Sequence, residues 1–263
     1  MAEQTFGGDD GGGAAKAPEK KKLSLGRFGM SPDANPRDFF WQIMASYAAS
    51  KKPGTDLSAH GDDRFALMRM ALSTLSSPNT DQYGLPSRFV ALYSLMMLID
   101  GGWDDALSEF LERSCDRKSG AEDHVSGAVK KLMSQEHYSE ALSRLIGQMV
   151  RGRETTGAGL ELLAKAESAE LSRSLKKEIM IIARGDIGQN QLNAIKGLSH
   201  IKEDIDAKKS LIILLSHWDA QARLAAAEVL LSMKGDADVA GAAAKRLPGE
   251  TDEEIKKILK RIR

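Results

Sequence analysis

The chain has 263 residues, 42% of them hydrophobic and 28% charged, which is enough apolar material for a substantial core. Its 37 lysines and arginines balance 37 aspartates and glutamates, so the chain as a whole lacks the cationic excess that coats a nucleic-acid duplex. The single cysteine, Cys115, excludes an internal disulfide and a thiolate zinc cluster, and no charged leader followed by an apolar run opens the chain, so the expected setting is cytoplasmic.

Residues 1–31 read as a flexible arm, because Gly7, Gly8 and Gly11 to Gly13 and the run Lys20 to Lys22 leave little apolar surface to repay ordering. Leu23, Leu25, Arg27, Phe28 and Met30 close the arm as a docking patch without an obvious place in a core. Asn35-Pro36 is a helix entry, Asn as N-cap and Pro at the first helical position, and Phe39, Phe40, Ile43, Met44 and Tyr47 keep helical spacing after it. Trp41 points well away from that stripe and is a candidate anchor for a partner or for the second half of the chain. Asp62 or Asp63 is the expected cap of a second helix carrying Phe65, Met68, Leu72 and Leu75. A third helix, from Pro86 to Asp100, is apolar on nearly every face and stops at Gly101-Gly102. Its apolar run is far short of the roughly 20 residues a bilayer needs, so no membrane insertion is expected. Asp104 is the expected cap of a fourth helix with a stripe of Ala106, Leu107, Phe110 and Leu111, and a polar linker follows to Asp123. Residues 32–118 thus form an aromatic-rich helical subdomain.

Composition then changes: of the aromatic residues only Tyr138 and Trp218 lie beyond Phe110. The second half repeats itself with a period of 32. Leu160, Leu192 and Leu224 align, as do Leu163, Ile195 and Ala227, and Ala166, Leu198 and Leu230. A partner series places Ile179, Ile182 and Ala183 on Leu211, Leu214 and Leu215, then on Ala243, Arg246 and Leu247, where the middle match fails.

The segment from Trp218 to Leu230, with Asp219 at a turn, Arg223 four residues on and the small-residue run Ala225-Ala226-Ala227, resembles the second helix of a HEAT repeat. The resemblance covers residues 124–263. It implies that these residues form HEAT-like helix-pair repeats, an α-solenoid whose second helices line a concave groove; with the helical N-terminal subdomain read from spacing, and no family resemblance over residues 1–120, the expected fold is all-α. Family pairing of Asp219 with Arg223, and diverse protein partners, are further implications. The groove helices around Glu161, Asn193, Glu228 and Glu254 carry Lys165, Lys196, Arg223, Lys257 and Lys260, mixed in sign and more basic towards the C-terminus.

Five scattered histidines, His60, His124, His137, His200 and His217, lack the spacing of a metal site. No nucleophile elbow or phosphate loop appears, so no catalytic residue, cofactor or metal is expected. Cys115 lies near Arg113 and Arg117, cations that depress a thiol pKa if it is exposed, but its place beside the apolar stripe argues that it packs. Trp218 reads as a staple between repeats; with so few aromatics around it, a base-stacking groove of the kind found in HEAT-like DNA glycosylases is disfavoured. The expected function is that of an adaptor, scaffold or assembly factor in a multi-subunit complex, gripping a protein partner through the groove and the arm, with Leu23, Leu25, Arg27, Phe28, Met30, Trp41, Arg223, Lys257 and Lys260 as candidate contacts. The alternative is a nucleic-acid-associated packaging protein using the basic arm and the basic C-terminal helix.

Overall fold

A computed structural model describes residues 36–50, 57–77, 85–116 and 119–263. Every regular element among them is helical, so the chain is all-α, as its periodicity predicts. No helix among the described residues is long and apolar enough to cross a membrane.

Helix α1 (Pro36–Ser50) begins on its proline, where a missing N–H leaves no bond unmade. A 3-10 turn over Leu57–Asp63 leads into α2 (Arg64–Leu75). Asp63 occupies the N-cap position but makes no capping bond; its carboxylate instead lies 3.4 Å from His60 Nδ1. Helix α3 (Ser87–Asp100) buries ten successive residues, Val90 to Ile99. A helix apolar all round has to be surrounded, and α1, α2, α4 (Asp104–Ser114) and α5 (Glu122–Leu132) pack around it. Gly102 ends the turn after α3 at φ 65°, a conformation that favours glycine. Asp104, expected as a cap, is the first residue of α4, and its carboxylate accepts a bond from Arg144 at 3.0 Å.

The remaining helices follow one another through short turns. They are α5 (Glu122–Leu132), α6 (Glu136–Arg151), α7 (Thr156–Ala166), the short α8 (Ala169–Ser174), α9 (Lys176–Gly185), α10 (Gln189–Ser199), α11 (Ile205–Leu214), α12 (Ala220–Leu231), α13 (Ala237–Arg246) and α14 (Glu253–Ile262). Alternate helices line up in two rows. In the first, α3 packs on α5, α5 on α7, α7 on α10, α10 on α12 and α12 on α14. In the second, α6 follows α4 and α11 follows α9. The apolar core runs through both rows without a break, passing beneath the polar linker because α3 and α5 touch directly.

The 32-residue period explains this packing. Leu163, Ile195 and Ala227 are buried at equivalent positions, and so are Ala166, Leu198 and Leu230 in the first row and Ile179, Leu211 and Ala243 in the second. Close approach of α6 and α7 depends on Gly159, where an added Cβ would lie 2.6 Å from the Val150 backbone nitrogen. Aspartates start the later helices: Asp204, Asp219, Asp236 and Asp252 each accept backbone N–H bonds at the N-caps of α11 to α14.

Candidate functional site

Two ladders of side chains run along the edges of the helix rows and engage many of the polar groups there. Along one edge, Lys176 reaches the cap aspartate of the next repeat, Asp204, at 3.1 Å and Asp206 at 2.9 Å. Thirty-two residues later Lys208 does the same with Asp236 at 2.9 Å and Asp238 at 3.3 Å. Each lysine thereby holds its pKa above the ordinary value through hydrogen bonds to the aspartates, while Asp236 is held below its own.

Along the opposite edge the link is buried. Gln191 is fully enclosed, donates to the Ala183 carbonyl at 2.9 Å and lies 3.3 Å from His217 in the following turn. At the equivalent position one repeat on, Arg223 is 7% exposed. Its Nη1 donates to the His217 and Trp218 carbonyls, both at 2.9 Å, and its Nε and Nη2 grip Glu250 in a two-pronged pair at 2.9 and 3.0 Å. Burial pushes the Glu250 carboxyl up, but Arg223 and the Asp252 and Thr251 backbone N–H groups outweigh it and bring the pKa down to about 2. Arg246 shares the same carboxylate at 3.0 Å.

Arg223 therefore requires a correction. The helical register places it between α12 and the turn before α14, with all of its nitrogens occupied, and it cannot meet a partner on the open face. Its companion is Glu250, while Asp219 caps α12 through the Gln221 N–H. Lys257 and Lys260 are exposed on one face of α14, one turn apart, opposite the buried Ile255, Ile258, Leu259 and Ile262. Trp41 is half-buried, edge-on to Phe40 with ring centroids 5.0 Å apart, and packs against the core of the first helices. Leu23, Leu25, Arg27, Phe28 and Met30 lie outside the described residues.

The other titratable clusters join helices. Asp100 at the end of α3 accepts hydroxyl bonds from Tyr47 (2.7 Å) on α1 and Tyr138 (3.2 Å) on α6, and lies 3.1 Å from His137 Nε2. Burial and the neighbouring carboxylate push both phenols up, Tyr138 to about 12. Lys165 on α7 bridges Glu122 of α5 and Glu161 of its own helix. Cys115 packs with Sγ 3.8 Å from the Ala158 carbonyl, and burial drives its thiol up to about 12, the opposite of activation. Burial lowers the pKa of His200, which lies 3.3 Å from Ser172 Oγ. Among the described residues no group of three His, Cys, Asp or Glu side chains is placed to hold a metal ion.

A surface that sequence reasoning missed lies on the second row. The large apolar side chains exposed among the described residues are Ile181 (72%), Ile187, Ile205, Ile213 (55%) and Trp218 (74%), all within α9, α11 and their turns. Trp218 is thus no staple; it stands in solvent beside the His217 ring. Ile181 and Ile213 are one period apart, so they occupy the same place on neighbouring helices. The signal was present in the sequence: both sit off the face defined by Ile179, Ile182 and Ala183, yet remain isoleucine.

No protein-family model matches this sequence, and no curated protein matches it. Among solved structures, the chain is similar to the crystal structure of an engineered protein from the Northeast Structural Genomics Consortium, with a TM-score of 0.43 and 15% identity over 85% of this chain and 94% of that one.

Proposed function

We propose that this protein is a non-catalytic scaffold that holds a protein partner on a stack of HEAT-like helix pairs. The observation that carries the reading is the concentration of exposed Ile181, Ile187, Ile213 and Trp218 on two adjacent outer helices and their turns. Isolated apolar side chains on a surface are ordinary, whereas several on neighbouring helices and their turns are what an interface uses. The rigid support is supplied by the two edge ladders, which use the buried polar groups for holding helices together. The HEAT-like assignment draws on Gln191 and Arg223, two polar side chains at one register that each tie a turn to the next repeat. The test is affinity purification of the tagged full chain beside an Ile181→Glu/Trp218→Ser variant, with and without nuclease and at two salt concentrations. Both positions are exposed, so the variant folds. Proteins that survive nuclease and salt with the native chain and are lost with the variant support the scaffold; an unchanged set refutes it.

A nucleic-acid reading draws on Lys257, Lys260 and Arg261, exposed together on α14. It predicts that recovery depends on nuclease-sensitive material and collapses between low and moderate salt, as phosphate neutralisation requires.

A further inference from the structure

We propose that the groove between α11 and α13 receives an acidic, amphipathic segment of the partner protein; the proposal rests on the scaffold reading and adds the place and chemistry of the grip. Helix α11 packs on α9 but not closely on α13, and the reason lies in α13, whose middle is Ala240, Gly241, Ala242, Ala243 and Ala244. Small side chains leave a channel there. Ile212, Leu215 and Ala242 line it, Ile213 stands exposed at one side, and Lys245 and Arg246 form the other.

The charge around this channel is one-sided. The acids of the two helices, Asp206 and Asp238, lie in their first turns, where Lys176 and Lys208 each answer two aspartates, and among the described residues no acid lines the channel. Lys245 on the rim, and Lys209 one helical turn before Ile213 on α11, are exposed and have no acidic partner among the described residues. Glu250 is a single carboxylate answering two guanidinium groups, Arg223 and Arg246, so that cluster carries one net positive charge into the channel wall. The C-terminal ends of α11 and α13 oppose this with about half a negative charge each, which Lys245 and that cluster together exceed. Apolar floor and cationic rim are the complement of a segment with leucine-like residues on one side and carboxylates on the other. The same sign disfavours this chain's own segment from Lys16 to Met30, which carries Lys16, Lys20, Lys21, Lys22 and Arg27. A second copy presenting this face would set lysine against lysine, and a flat bilayer would not fill a recess between two helices.

The experiment is selection of random displayed peptides on the full chain, followed by fluorescence anisotropy of the enriched peptides with the native chain, with Lys209→Glu/Lys245→Glu, and with Ile213→Ser. All three positions are exposed, so these variants keep the fold. Peptides that alternate Asp or Glu with Leu, Ile or Phe at helical spacing, and that bind the lysine variant at least about tenfold more weakly, are expected. Enrichment of neutral or basic peptides, an affinity indifferent to the variants, or no enrichment overturns the proposal. Binding to phosphatidylserine vesicles that the lysine variant abolishes, with no peptide selected, assigns the face to an anionic lipid surface and overturns it as well. If the Ile181→Glu/Trp218→Ser chain loses its protein partners while no acidic peptide is selected, the scaffold reading stands and the groove proposal falls. Acidic peptides held in the groove by a chain whose partners ignore Ile181 and Trp218 give the reverse.

Discussion

Replacing Glu250 with glutamine removes one negative charge from beneath two arginines while keeping the side chain's shape. In the native chain the Glu250 side chain is wholly inaccessible, its two oxygens take three guanidinium bonds, and the Thr251 and Asp252 N–H groups add two more. A fall of its pKa from 4.5 to about 2 corresponds to about 3 kcal/mol of preference for the charged form in the folded chain. That figure agrees with the cost of about 3–5 kcal/mol for removing one partner of a buried pair. The sign follows from the direction of the shift: the folded pKa lies below the unfolded one, so the stabilisation is complete above about pH 5 and is lost as pH falls from 4.5 towards 2. Urea unfolding of the native chain and Glu250→Gln at pH 7 therefore separates the two midpoints by an amount equivalent to about 3 kcal/mol. At pH 2.5 the gap shrinks, because the native carboxylate is becoming protonated. A gap under about 1 kcal/mol at pH 7, or one that does not shrink in acid, refutes the assignment of Arg223 and Glu250 as a buried structural pair.

Three further outcomes test other contacts. Gly159→Ala drives a methyl group into the Val150 and Met149 backbone, which cannot rotate aside, and costs about 2 kcal/mol or more in chemical denaturation, whereas Gly127→Ala, which meets nothing within 4 Å, is neutral or stabilising. The buried Cys115 thiol, with its pKa pushed up to about 12, reacts with Ellman's reagent at pH 8 far more slowly in the folded chain than in urea; equal rates mean that it is exposed. Asp204→Ala deletes the cap bonds to the Asp206 and Ala207 N–H groups and one partner of Lys176, and lowers stability by about 1 kcal/mol by thermal melting; no change means that the cap is redundant.

How much of this was legible depended on whether a residue's role is periodic. The 32-residue spacing locates the core positions Leu163, Ala166, Ile195, Leu198, Ala227 and Leu230, because helices that bury one face must repeat it, but in the remaining series Leu160 is buried while Leu192 and Leu224 are half-buried. The same period contained the edge ladder, since Lys176 and Lys208, Asp204 and Asp236, and Asp206 and Asp238 are each 32 apart, but charged residues on a helix read as a wet face until their partners are seen. The role of Arg223 is hidden in the sequence for a different reason. Its side chain is long enough to leave its own helix and reach a glutamate 27 residues away, and no local pattern announces Glu250. Trp218 was misjudged because a large aromatic in an aromatic-poor segment suggests packing, whereas its turn, held from below by Gln191 and Arg223, faces outward. The groove between α11 and α13 follows from alanine composition that looks, in sequence, like an ordinary helix former.

The regularity of the two ladders makes length a separable property of the molecule. Lys176 and Lys208 each bind the aspartates one repeat ahead, and Gln191 and Arg223 each reach the turn ahead, so the unit from 187 to 218 carries both a socket for its predecessor and a plug for its successor, while the pattern stops at Ala240 and Ile255. Residues 187–218 could be duplicated in place, after Trp218, and every link would find a correct mate: the first Lys208 would meet the second Asp204, and the second Lys208 the original Asp236. Where stability is a sum over neighbours, such an insertion extends the outer isoleucine surface by one register without altering either end. Growth by internal copying, in evolution or by design, is thus open to this chain at that point.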